Sequence, residues 1–141
     1  MTSDVEQLVA VCGDAVVISD RTGVITLWNA GAERMFGFSQ ADAVGQTLDI
    51  IIPERFRKRH WDGCNATLQS GNTRYGNDLL KVPALTKDGR TISIAFSIAL
   101  LRAPDGSISG MASIIRDESV RFKEDRELRK QLAELKAKAG G

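Results

Sequence analysis

The stretch T-I-S-I-A-F-S-I-A-L-L at 91–101 decides the fold class. Its residues alternate strictly: Ile92, Ile94, Phe96, Ile98 and Leu100 fall on one side of a strand, and Thr91, Ser93, Ala95, Ser97 and Ala99 on the other. One face of this strand must be covered. Working outward, K-D-G-R at 87–90 precedes it and A-P-D-G at 103–106 follows it, both Asp-Gly hairpin signals. They join it to D-L-L-K-V-P-A-L-T at 78–86 and S-I-S-G-M-A-S-I-I at 107–115. A third turn of the same kind, D-R-T-G at 20–23, separates A-V-V-I-S at 15–19 from V-I-T-L-W at 24–28. Five strands are predicted, the last three as two hairpins.

Between the second and third strands the pattern becomes helical. Asn29 caps a turn that ends at Gly37, and Ser39, with Asp42 three residues on, opens another that ends at Gly45. Pro53 suits a first helical turn, so P-E-R-F-R-K-R-H-W-D-G-C-N-A-T-L-Q-S is predicted as a helix of about four turns closed by Gly71. The expected class is α+β: a five-stranded antiparallel sheet with helices across one face. At the N-terminus, D-V-E-Q-L-V-A-V-C at 4–12 puts Val5, Leu8, Val9 and Cys12 on one side of a short helix. After Arg116 the chain turns strongly charged, and Leu128, Leu132, Leu135 and Ala139 recur as a heptad seam. That seam either packs on its own domain or pairs two copies.

The 141 residues and 15.3 kDa suit one domain, and 43% hydrophobic with 26% charged residues is ordinary globular composition. A net charge of +1 supplies no field to draw in nucleic acid or an acidic membrane surface. Two cysteines, Cys12 and Cys64, make neither a zinc motif nor a C-x-x-C pair. With no signal-peptide pattern and no apolar run long enough to span a bilayer, a cytoplasmic location is expected. There is no nucleophile elbow, P-loop, H-E-x-x-H motif or second histidine for a triad, so no enzyme is indicated.

Five stretches at these spacings resemble the PAS domain family: 15–39, A-V-G-Q at 43–46, I-I-I-P-E-R at 50–55, T-K-D-G-R-T at 86–91 and I-I-R-D at 114–117. The resemblance covers residues 13–117. It implies a sensor domain there, an N-terminal helical cap at 1–12 and a C-terminal signalling or coiled-coil helix at 118–141. It also implies a homodimer through the terminal helices that passes a signal to a downstream output domain or partner protein.

Within the family, P-E-R-F-R-K-R-H-W-D-G at 53–63 is most similar to the haem-binding, oxygen-sensing subgroup of the FixL type. That implies haem b as cofactor, a diatomic gas (dioxygen, carbon monoxide or nitric oxide) as ligand, and His60 as the iron ligand. The separation of His60 from Asp88 matches without a gap. The same pairing puts Phe96, Ile98 and Tyr75 on apolar distal positions and Arg74 on a position contacting a haem propionate. Leu80 stands where the subgroup carries a distal arginine, and the methionine used as a sixth ligand by another haem group is missing. An apolar distal side is then expected to bind carbon monoxide or nitric oxide readily and to hold oxygen weakly or lose it to oxidation. FMN is not expected, because Leu48 occupies the place of the flavin photoreceptors' reactive cysteine.

The residues themselves allow two readings of His60, the chain's one histidine. On a helix Phe56, Gly63, Cys64 and Thr67 share its face, and small neighbours would let a flat macrocycle approach. Ile94, Phe96, Ile98 and Leu80 could form the apolar wall, and Arg55, Arg57, Lys58, Arg59 and Arg74 the cations for propionates. Alternatively His60 belongs to a surface R-x-R-H-W patch and binds nothing, Phe56 and Leu68 filling an ordinary core. Cys64 reads as a buried, inert thiol or as a redox or ligand group, and Trp61 as a core or rim aromatic.

Overall fold

In the computed structural model, which describes residues 3–71 and 79–140, each hairpin turn is built around an aspartate. Asp20 Oδ1 accepts from Thr22 N (2.9 Å), Thr22 Oγ1 (2.6 Å) and Val24 N (3.1 Å). Asp105 Oδ1 accepts from Ser107 N (3.0 Å) and Ser107 Oγ (2.6 Å). Asp88 accepts from Thr86 Oγ1, and from Arg90 Nε at 2.8 Å. These local bonds satisfy backbone donors that a turn would otherwise leave to water.

The turns join β1 (Ala15–Asp20) to β2 (Ile25–Trp28), β3 (Leu80–Leu85) to β4 (Thr91–Arg102), and β4 to β5 (Ile108–Asp117). One sheet results, in the order β2-β1-β5-β4-β3, with every neighbouring pair antiparallel. Pro83 is thereby on an edge strand, where a missing N–H is tolerated. The central pair, β1 with β5, runs in register from Ala15↔Ile115 to Asp20↔Gly110. Cross-strand partners carry the inner face through Leu80↔Phe96, Val82↔Ile94, Phe96↔Ile115 and Ala15↔Ile115.

Asn29 fastens the first helix to the sheet. As N-cap of α2 (Ala30–Phe36) its Oδ1 accepts from Ala32 N (2.9 Å) and Val16 N (2.8 Å). Its Nδ2 donates to Val9 O (2.8 Å) and Asp14 O (3.1 Å), so a side chain only 6% exposed makes every bond it can. Next to it, a Cβ on Gly31 would collide with the Asp14 carbonyl, so α2 lies as close to the sheet as it does because this residue is glycine. A short α3 (Gln40–Ala43) follows, capped by Ser39 and ending at Val44, one residue before the glycine expected to close it. A 3-10 turn at Leu48–Ile51, absent from the sequence expectations, leads into α4 (Glu54–Ser70), which Gly71 closes.

The core lies between the sheet and α2, α3 and the 3-10 turn: Val17, Ile25, Trp28, Ala32, Phe36, Ala43, Ile51, Ile92, Ile94 and Ile115 are all buried there. Trp28 packs at 5.5 Å from Phe36 with the two rings tilted by 43°, and edge-on at 6.4 Å from Phe38, and its Nε1 donates to Phe38 O (3.0 Å). Truncating either buried ring would cost about 3–5 kcal/mol.

The terminal helices are different. In α1 (Asp4–Val11), Val9 and the adjoining Cys12 are half-buried while Val5, Leu8 and Val11 face solvent, so the apolar side expected from the sequence is split. The start of α5 (Ser119–Gly140) is pinned to β4: Ser93 N donates to Ser119 Oγ (3.1 Å) and Glu118 N to Ser93 O (2.7 Å). Beyond that α5 buries nothing, and its leucines do not pack on their own domain. No helix among the described residues is long and apolar enough to cross a membrane.

Candidate functional site

α4 contributes no fully buried residue, although among the described helices only α5 is longer. It is held at three points. Arg57 Nε donates to Ile52 O (3.1 Å) and Arg57 Nη2 to Asp49 O (3.3 Å), and Trp61 Nε1 donates to Asp49 Oδ1 (2.7 Å). At the far end Arg102 Nη2 donates to Gly71 O (2.8 Å). The Trp61 ring lies over Gly23, whose φ of +85° and lack of a side chain both suit glycine; a Cβ there would collide with the indole. The helix is thus tied to the β1–β2 turn at its middle and to the end of β4 at its C-cap.

Between Arg57 and Trp61 stands His60, half-buried, with its ring edge-on to Trp61 at 5.0 Å. Its Nε2 is 3.5 Å from Cys64 Sγ, one turn on. Its Nδ1 is buried with no hydrogen-bond partner, and it is the one such side-chain atom among the described residues. A buried polar atom without a partner is costly and calls for an explanation. Burial pushes the imidazole below its ordinary pKa, against a smaller opposing pull from Asp49, so the ring is neutral at neutral pH and free to donate a lone pair. Burial also pushes the Cys64 thiol up to about 11, which leaves it protonated and a poor nucleophile.

The residues singled out from the sequence fall into two sets. Phe56, His60 and Cys64 share one face of α4, all half-buried, with Thr67 further along. Leu80, Ile94, Phe96 and Ile98 share the inner face of the sheet. Ile94 is core, but Leu80, Phe96 and Ile98 are only half-buried, and Val82 beside them is 41% exposed. The stretch of the inner face around Leu80, Val82, Phe96 and Ile98 is therefore less covered than the stretch around Ala84, Ile92 and Ile94. Arg74 and Tyr75 lie outside the described residues.

Several details differ from the sequence reading. Arg57 is occupied by two backbone carbonyls and the Arg55 guanidinium lies over the Phe56 ring at 4.7 Å, so of the expected cations on α4 only Lys58 and Arg59 are exposed without such a contact. Gly63 is exposed, with nothing within 4 Å of a Cβ built on it, so no close approach within the chain explains this glycine. Phe56 is outside the core cluster and fills no ordinary core. The role of Asp49 was missed. The spacing of Arg57 and Trp61 was its trace, since residues four apart share a helix face, but nothing local says what that face meets.

The family model for the PAS fold matches residues 3–117. Sensor protein FixL of Bradyrhizobium diazoefficiens is 45% identical over 47 residues, 33% of this chain and 9% of FixL. Oxygen sensor protein DosP of Escherichia coli is 25% identical over 115 residues, 82% of this chain and 14% of DosP. The chain thus spans only a small part of either relative. The crystal structure of a PAS domain from Colwellia psychrerythraea superposes with a TM-score of 0.71 at 22% identity, covering 80% of this chain and 92% of that one. An RNA-binding light-oxygen-voltage receptor superposes equally well, TM-score 0.71, at 16% identity over 97% of this chain and 38% of its own. At those identities the two structures speak for the fold alone. With its five-stranded sheet, its capping helices and a family match over most of its length, this chain belongs to the PAS family.

Proposed function

We propose that this PAS domain binds haem b through His60 and senses a diatomic gas. The observation that carries the reading is the buried, partnerless imidazole nitrogen on a helix with no fully buried residue, taken with a stretch of the sheet's inner face that is only half-covered. Sensory PAS domains work by enclosing a ligand between sheet and helices, and the apolar residues of the inner face together with the one imidazole on α4 support that reading here. The residues fit the group: a neutral imidazole for the metal, an aliphatic and aromatic wall, and exposed cations at Lys58 and Arg59 for propionates. Haem held there would supply an iron centre able to bind a gas molecule.

Each side chain then has a task. His60 donates a ring nitrogen, and the Cys64 thiol crowds its Nε2 side. Leu80, Phe96 and Ile98 exclude water and offer no hydrogen bond to a bound gas. β4, which carries Phe96 and Ile98, also holds the first residues of α5 through Ser93, so a displacement of that wall reaches the signalling helix. Leu48, in place of the flavin photoreceptors' cysteine, packs against the core and speaks against FMN photochemistry.

A second reading, a cofactor-free module that dimerises and relays a signal, is favoured by the exposed seam of α5. Leu128, Leu132 and Leu135 are 64%, 52% and 63% exposed on one stripe. Two copies pairing along that stripe serve either reading. A haemin titration of wild type beside His60→Ala separates them. A sharp Soret band that shifts on reduction and with carbon monoxide, and is lost in the variant, supports the haem reading. Loose, identical spectra for both would leave the cofactor-free module.

A further inference from the structure

We propose that Asp49 is the positioning residue for His60, holding through Trp61 and Arg57 the turn of α4 that presents the imidazole. What the imidazole then does rests on the haem reading above. No side chain of α4 is fully buried, so its hydrogen bonds carry much of what fixes its position. Two of its three side-chain bonds to the chain before it end on Asp49, one on the carboxylate (2.7 Å) and one on the backbone carbonyl (3.3 Å). The donors, Arg57 and Trp61, bracket His60 in the sequence. Glycine at position 23 lets the indole settle over the β1–β2 turn and closes the clamp from the other side.

The arrangement has two separable parts. One is mechanical: the Trp61 bond needs an acceptor oxygen at position 49, which an amide also offers. The other is electrostatic: the negative charge of Asp49 acts on the imidazole through space, and such a charge makes a metal-bound ring more electron-rich and favours ferric over ferrous iron. Asp49→Asn removes the charge and keeps the acceptor. Asp49→Ala removes both, and Trp61→Phe removes the bond while leaving ring and charge.

The test compares these three variants with wild type in two ways: haem loss to apomyoglobin with resonance Raman of the ferrous iron–histidine stretch, and amide exchange over residues 57–64 in the haem-free protein. Asp49→Ala and Trp61→Phe should lose haem about tenfold faster or more, with a shifted or broadened stretch and faster exchange in α4. Asp49→Asn should restore near wild-type haem retention and exchange while raising the iron reduction potential. If Asp49→Ala and Trp61→Phe match wild type in exchange and haem loss, the clamp is overturned. If wild type takes up no haem but exchange still quickens in both variants, the haem reading fails and Asp49 stands as the anchor of α4.

Discussion

Cys64 Sγ lies 3.5 Å from His60 Nε2, one helical turn along the same face of α4. The thiol, pushed up to about 11 by burial, is almost wholly protonated at neutral pH. Only the thiolate attacks, so in a Cys12→Ser background Cys64 should react with Ellman's reagent about a hundredfold more slowly than an ordinary thiol. Bound haem should slow it further. Labelling at the free-thiol rate would mean that α4 lifts from the domain.

The three turn aspartates give the domain a defined acid sensitivity. Asp20, Asp88 and Asp105 are all held below the ordinary carboxylate value, foremost by hydrogen bonds from Thr22, Thr86 and Ser107. A lowered folded-state pKa means stability that is present above the unfolded value of about 4 and is lost as pH falls through the folded values. Urea midpoints should thus fall gently below about 6.5, where unfolding lets the His60 imidazole take up the proton that burial disfavours, and drop more steeply below about 4. Asp20→Asn should flatten that drop, since it removes one of the three titrating groups; an unchanged profile would exclude this origin.

Dimerisation is testable at the seam. Replacing Leu128, Leu132 and Leu135 together by serine should convert a dimer to a monomer in sedimentation velocity. The sheet domain should keep its melting transition, because α5 buries nothing against it. A dimer that survives the triple change would put the contact on α1, where Val5, Leu8 and Val11 are exposed, or elsewhere.

The apolar wall predicts the gas chemistry. With Leu80, Phe96 and Ile98 offering no donor, the reduced haem-loaded protein should bind carbon monoxide and oxidise within a short time in air. Leu80→Arg, which puts a guanidinium on the inner face opposite Phe96, should slow that oxidation about tenfold, a gain of roughly 1.4 kcal/mol for one hydrogen bond to the bound gas. Equal oxidation rates would show that the gas does not meet β3.

Much of this fold was legible locally. Asp-Gly turns, the alternation of 91–101 and the caps at Asn29, Ser39 and Gly71 each act within a few residues, so five strands and the main helices follow from the chain read in order. His60, Cys64 and Phe56 sharing a face of α4 follows equally from helical periodicity. The spacing of Leu80 and Phe96 also placed them within the hairpin that the structure contains, as direct cross-strand partners.

What no local pattern specifies is how distant segments meet. The sheet closes through Ala15 beside Ile115, a pairing of the first strand with the last that only the burial of both faces together can select. Arg57 reads from the sequence as a surface cation, but the 3-10 turn and its C-cap supply two carbonyls for it, and only the fold shows that the Trp61 ring lies over Gly23. The amino-acid sequence by itself determined on which face of each element the candidate residues stand, because periods of two and 3.6 residues are set by backbone geometry. Only the tertiary structure decided which of those residues are already engaged and which, like His60 Nδ1, are buried without a partner, because hydrogen-bond satisfaction depends on segments that the chain brings together only on folding.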